Sequence, residues 1–124
     1  MKTLLNKKED DMSIIITNQG FKGRGIYIGR PSPYGNPYPT KKSRFSKRVY
    51  SLKESLRMYA KKVDKGEIDI SELVEKYRKE GSLVLDCFCT NRIIQDINRV
   101  NPKNFVCHGE VLAWYILLEV FLLK

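Results

Sequence analysis

Ile26-Tyr27-Ile28-Gly29-Arg30-Pro31-Ser32-Pro33-Tyr34-Gly35-Asn36-Pro37-Tyr38 is the stretch on which the reading of this chain turns. A short apolar run is followed by ten residues holding three prolines and two glycines. Proline fixes φ and glycine admits positive φ, so the segment reads as a stiff, specifically shaped loop leaving a strand. Its counterpart is Cys107-His108-Gly109-Glu110, directly before a strongly apolar last helix. The expectation is that the two segments meet and form the site.

Working outward, Ser13-Ile14-Ile15-Ile16-Thr17-Asn18 is a β-branched run closed by a turn-like Asn18-Gln19-Gly20 and reads as a buried strand. Only about seven residues then precede Ile26, fewer than the dozen or so that a helical crossover needs, so the two strands are expected to be antiparallel or not neighbours. Ser51 followed by Glu54 predicts a capping box, and Leu52, Leu56, Tyr59 and Val63 fall at helical spacing before Gly66. A second helix begins at Asp69 or Ser71, carries Leu73, Val74 and Tyr77, and closes at Gly81. Ser82 to Cys89 reads as a strand with Leu83, Leu85, Cys87 and Cys89 on one face and Val84, Asp86 and Phe88 on the other. Ile93, Ile94 and Ile97 suggest one or two helical turns ended by Asn101-Pro102. Glu110 to Leu123 is apolar all round except Glu119, which predicts burial either centrally or against a second copy of the chain, a homodimer. Its apolar run, Val111 to Leu123, is too short for a bilayer span of ~20 residues. The fold expected is a single small α/β domain over 13–124, with a sheet of three or four strands and packed helices, after a loose extension at 1–12.

The whole chain has 124 residues and a formal net charge of +9, from 23 Lys and Arg against 14 Asp and Glu. Length sets one core, and the charge favours nucleic acid, nucleotide phosphates or an acidic protein surface as partners, unless it serves solubility alone. Three cysteines and no apolar leader at the start point to a reducing, cytoplasmic setting with thiols rather than disulfides. Lys41, Lys42, Arg44, Lys47 and Arg48 form a basic run that would contact phosphate, with Phe45 among them as a stacking group. A solvated loop is the alternative reading of that run.

Three constellations carry chemistry. Cys87, Cys89, Cys107 and His108 invite a structural zinc of Cys₃His type, although C-x-C and an adjacent Cys-His pair are unlike the usual C-x₂₋₄-C spacing. Small buried core cysteines are the competing account. Cys107 and His108 stand at a helix start, where N–H groups and the macrodipole favour an anion or a thiolate, and Gly109 would let a ligand approach the backbone. Cys107 as nucleophile or His108 as acid–base are the catalytic candidates. In the loop, Arg30 would meet phosphate, Ser32 and Asn36 would hydrogen-bond the ligand, and Tyr34 and Tyr38 would stack on a ring. The expected ligand is a nucleotide or related phosphorylated molecule.

The loop resembles the "vyIGRPSPxGNPF" signature of domain of unknown function family 4326, found in phages and bacteria. Leu85-Asp86-Cys87-Phe88-Cys89 is similar to its "LaCwC" strand, and Cys107-His108-Gly109-Glu110-Val111-Leu112-Ala113 to its "CHGdvLa" helix start. Leu56-Arg57-Met58-Tyr59 fits the helix between them, and residues 90–106 form a longer insertion than the family pattern has. The resemblance implies a small α/β domain, Rossmann-like in character, of the kind that binds nucleotides or processes nucleosides. It attaches no established function. A non-enzymatic phage protein that binds nucleic acid or inhibits a host protein is the alternative it leaves open.

Overall fold

A computed structural model describes residues 13–41, 48–88, 90–94 and 100–122. The expected extension at 1–12, most of the basic run (Lys42, Arg44 and Lys47), Phe45, Cys89 and Ile97 lie outside them. In chain order the elements are β1 (Ser13–Thr17), β2 (Ile26–Tyr27), α1 (Leu52–Asp64), α2 (Ser71–Glu80), β3 (Ser82–Asp86), β4 (Arg92–Ile94) and α3 (His108–Leu117). A π-helical turn, Leu118–Leu122, continues α3, and short 3₁₀ turns occupy Gly20–Lys22 and Pro102–Asn104. The strands form one mixed sheet in the order β2-β3-β1-β4, giving a small single α/β domain.

β3 runs parallel to both β1 and β2, and β4 runs antiparallel to β1. β1 and β2 are therefore not neighbours, as their short connection requires, and β3 lies between them. Eight residues, 18–25, suffice for this parallel return because β2 pairs only with Leu85 and Asp86, the last two residues of β3. Two strand spacings span about 10 Å, and eight extended residues reach about 27 Å. The loop passes over the end of β3 itself. Asp86 Oδ1 accepts from Thr17 Oγ1 at 2.5 Å, and Oδ2 accepts from the Gly25 amide at 2.6 Å. Gly23 rests directly on that carboxylate, leaving no space for a Cβ. Asp86, expected on the face away from Leu83 and Leu85, is thus only 1% exposed because the loop covers it.

The helices follow their local signals. The Ser51–Glu54 capping box is present, with the Glu54 amide 3.1 Å from Ser51 Oγ and the Ser51 amide donating to Glu54 Oε1. Leu56, Tyr59 and Val63 are buried, but Leu52, the first helical residue, is 44% exposed and lines the cleft described below. Gly81 closes α2 at φ +78°, donating its amide to Tyr77 O at 2.8 Å. The turns expected at Ile93 and Ile94 are instead strand β4: Ile94 is buried opposite Ile14, whereas Ile93 is 61% exposed. That alternation has period two, and pairing to β1 overrides the short isoleucine run.

α3 packs against α1 and β1, and its residues from His108 to Ala113, with Ile116 and Leu117, are all buried. Its uniform hydrophobicity therefore reflects a central position within the chain. Among the described residues no helix is long and apolar enough to cross a membrane. Glu110, 1% exposed, ties α3 to its surroundings: Oε1 accepts from the amides of Val106 (2.7 Å) and Cys107 (3.0 Å), and Oε2 pairs with Arg92 of β4.

Replacing Asp86 by alanine leaves the Thr17 hydroxyl and Gly25 amide without their acceptor, at about 1–3 kcal/mol per stranded buried donor. Urea unfolding of Asp86→Ala should show a loss of about 2–4 kcal/mol, and Thr17→Val about 1 kcal/mol. Equal, small losses in both variants would contradict a carboxylate that holds two segments.

Candidate functional site

The proline-rich loop is built by its own polar side chains. Tyr27 Oη donates to Arg30 O at 2.7 Å, and the Ser32 amide donates to Gly29 O at 2.8 Å across a cis Arg30–Pro31 peptide. Asn36 Nδ2 donates to Ser55 Oγ (2.8 Å), Ser55 Oγ donates to Tyr38 O (2.7 Å), and the Tyr38 amide returns to Asn36 Oδ1 (2.9 Å). Tyr59 Oη donates to Tyr34 O at 2.6 Å; burial raises that phenol's pKa, so it stays a neutral donor. These bonds fasten the loop to α1.

The loop and the start of α3 meet. His108 Nε2 lies 2.7 Å from Ile28 O, a carbonyl that can only accept, so the neutral imidazole carries its proton on Nε2. Nδ1 is then an acceptor with no hydrogen-bond partner among the described residues. Burial is the main influence on this imidazole and lowers its pKa from 6.5; the Arg30 charge adds to the effect, while the bond to Ile28 opposes it. The ring of Tyr59 stands edge-on, 5.3 Å away.

Between these segments lies a cleft of about 420 Å³, within the ~300–1,000 Å³ of ordinary ligand sites. Its lining includes Arg30, Asn36 and Tyr38 from the loop and Cys107 and His108 from the start of α3, with Cys87 and Phe88 following β3. Phe21, Tyr27 and Gly29 complete the side formed by the segments after β1 and in and after β2. The cleft thus opens at the carboxyl ends of the three parallel strands, where open α/β sheets place their ligands. Cys87 and Cys107 are each 1% exposed and form the inner part.

Of the residues read from sequence as ligand contacts, Arg30 and Asn36 line the cleft with Cys107 and His108; Ser32, Tyr34 and Gly109 do not. Ser32 Oγ accepts from the Tyr34 amide at 3.3 Å, and burial with the nearby charges of Glu72 and Asp69 raises the Tyr34 phenol's pKa. Gly109 faces Ile28 and Ile16, so its missing side chain lets α3 sit close on the sheet. The amides at the α3 start are partly occupied from within: Cys107 Sγ accepts from Gly109 at 3.3 Å. Arg30 is exposed and forms no ion pair among the described residues. Lys41 and Arg48 are exposed, and Arg48 stacks on Tyr50 with its guanidinium carbon 4.8 Å from the ring centre.

For zinc, Cys87 and Cys107 stand together with Sγ atoms 3.2 Å apart, but His108 Nε2 is committed to Ile28. Among the described residues no three His, Cys, Asp or Glu side chains converge on a metal position.

A cluster of aromatic rings at the mouth escaped the sequence reading. Phe21 and Tyr27 centroids are 4.3 Å apart, Phe21 and Phe88 are 5.6 Å apart, and Tyr27 and Phe88 are 6.0 Å apart. Phe21 is 70% and Phe88 61% exposed. The recoverable signal was an aromatic in, or a few residues beyond, each of three strand ends.

His108 is the sole histidine, so its proton resonances titrate without overlap. They should show a midpoint below 6.5, the ordinary value. The unfolded chain takes up this proton near pH 6.5 and the folded chain only at lower pH. The stability contributed by neutral His108 is therefore complete above pH 6.5 and falls as pH drops through its folded pKa. Urea unfolding between pH 7.5 and 5 should show this slope, reduced in His108→Gln; an unchanged slope would remove His108 as its source.

No curated protein and no solved structure matches the chain significantly. One family profile does match, described as a domain of unknown function, and it spans residues 16–117, taking in the loop, the β3 end and the α3 start. The chain belongs to this family, DUF4326.

Proposed function

We propose that the cleft binds a nucleotide or a closely related phosphorylated ligand. The observation that carries this reading is an exposed aromatic cluster together with the exposed cation of Arg30, which forms no ion pair among the described residues, at one cleft mouth on the carboxyl ends of parallel strands. A planar base stacks on Phe88 with Phe21 edge-on beside it, and the phosphate meets Arg30, whose fork suits phosphate oxygens. The loop's internal hydrogen bonds hold Arg30's backbone in place before the ligand arrives, which lowers the ordering cost of binding. His108 offers a fixed tautomer with a proton-accepting Nδ1, so in any reaction on the ligand it is the base. Cys107 contributes a polarizable inner surface beside it. The setting proposed is the cytoplasm of a bacterial or phage-infected cell.

A second reading has its own observation. Pro39 and Thr40 line the cleft, and the Tyr50 amide donates to Pro39 O at 2.9 Å, so Lys41 and Arg48, the two ends of the basic run, each lie within two residues of the cleft rim or of its partner Tyr50. A polynucleotide would then reach from the aromatic cluster to those cations, with binding that weakens steeply as salt rises. An acidic protein surface is a partner of the same charge.

Thermal denaturation with nucleoside mono-, di- and triphosphates, nucleosides and inorganic phosphate separates base from phosphate recognition. A ligand at one hundred times its Kd should stabilise by about 2.7 kcal/mol and raise Tm by several degrees. Arg30→Ala should remove the preference for nucleotide over nucleoside, and Phe88→Ala should weaken nucleotide binding by about 1–3 kcal/mol. Absence of stabilisation by every nucleotide, with Arg30→Ala indistinguishable from the parent, would overturn the proposal.

A further inference from the structure

We propose that Cys87 and Cys107 are a peroxide-reactive dithiol, in which Cys107 is the attacking thiolate and Cys87 the resolving thiol. The inference stands on the geometry of the two sulfurs and does not require that the cleft's ligand be a nucleotide.

The Sγ atoms are 3.2 Å apart although the residues are 20 positions apart in the chain. Closing to a disulfide bond of ~2.05 Å asks for an approach of about 1.2 Å, which small side-chain rotations supply. Both backbones are held in place. The Cys87 amide donates to Thr17 O at 2.9 Å and its carbonyl accepts from Gly20 at 2.8 Å. The Cys107 amide donates to Glu110 Oε1, and its carbonyl accepts from the Glu110 amide at 3.0 Å.

The two sulfurs have different environments, and the difference assigns their roles. Cys107 is the N-cap of α3, and its Sγ accepts from the Gly109 amide at 3.3 Å. That donor and the helix N-terminus both favour negative charge on sulfur. Cys87 Sγ faces Thr17 O at 3.2 Å, an acceptor that holds a proton on the sulfur. Both thiols line the cleft yet are only 1% exposed, so the oxidant class that fits is a small peroxide rather than a bulky disulfide.

The steps balance. Cys107 loses its proton to solvent, and its thiolate attacks one peroxide oxygen; the O–O bond breaks, giving Cys107 sulfenic acid and hydroxide, which takes up a proton. Cys87 sulfur then attacks the Cys107 sulfur, its proton leaves with the sulfenic oxygen as water, and the S–S bond forms. Two thiols are oxidised by two electrons and hydrogen peroxide is reduced to two waters. The product ties the end of β3 to the start of α3 across the inner part of the cleft. External thiol reverses it.

The test uses the full chain, reduced, freed of reductant and treated with hydrogen peroxide. Intact mass should fall by about 2 Da, with one thiol remaining of the three cysteines. Peptide mapping should find the Cys87–Cys107 link, and dithiothreitol should restore the reduced mass. Cys89→Ser should behave the same, which separates the third cysteine from the pair. In Cys87→Ser the Cys107 sulfenic acid should persist and be captured by dimedone, whereas in Cys107→Ser residue 87 should remain a thiol. Serine preserves the size and the capping capacity at 107, and circular dichroism checks the fold of each variant. A link through Cys89, direct over-oxidation of Cys107 in the parent, or no reaction at millimolar peroxide in the folded parent would overturn the assignment. So would dimedone capture at Cys87 in place of Cys107.

Discussion

The buried Asp86 carboxylate is the constraint on which the arrangement depends. It accepts from the Thr17 hydroxyl and the Gly25 amide, and so brings the end of β1 and the approach to β2 onto the end of β3. The backbone continues the same joint, with the Cys87 amide on Thr17 O and the Ile28 amide on Asp86 O. Charge-assisted bonds of this kind exceed ordinary amide pairs in strength, and here one side chain supplies two of them. Three strand ends thereby finish side by side, and the segments leaving them, with Phe21, Arg30 and Phe88, converge on one opening. Without that joint, a connection of eight residues has no reason to cross β3 closely, and the aromatic cluster does not assemble.

Glu110 plays the matching part on the other side of the cleft. A single carboxylate caps the start of α3 through the Val106 and Cys107 amides and pairs with Arg92 from the edge strand. The site is thus framed by two buried acids in a chain whose net charge is +9. The acids organise the interior, and among the described residues Arg92 is the cation paired with one of them. That pairing leaves Arg30 available at the mouth, and the chain's positive field is otherwise a surface property separate from what holds the fold together.

What was legible in the sequence was local. The Ser51–Glu54 box, the glycine stops at Gly66 and Gly81, the β-branched run at 13–17 and the helical spacing of Leu56, Tyr59 and Val63 each announce themselves within a few residues. The meeting of the loop with the α3 start was legible from composition and from the family pattern together. The rest depended on partners distant in the chain. β4 is three residues long and owes its conformation to β1, some 80 positions earlier, which a run of isoleucines cannot reveal. Alternation put Asp86 on the face opposite Leu83 and Leu85 but could not show its burial, because its cover comes from residue 25, sixty-one positions away. Ser32, read as a ligand contact, lies outside the cleft because polar side chains in a proline-rich loop serve equally well to shape the loop, and here it accepts from the Tyr34 amide within it.

The hydrogen bond from the Tyr50 amide to Pro39 O has a consequence for how this domain can change. It pins Pro39 and Tyr50 together beside the cleft, as two fixed feet of the chain. The closure entropy of a connection between two fixed points grows only with the logarithm of its length, about 0.6 kcal/mol per doubling. Segments of other lengths and charges can therefore be exchanged between those feet at little cost to the sheet or to α1. The domain is in this respect a socket: the paired feet at Pro39 and Tyr50 belong to the fold, and the length of chain joined to them does not.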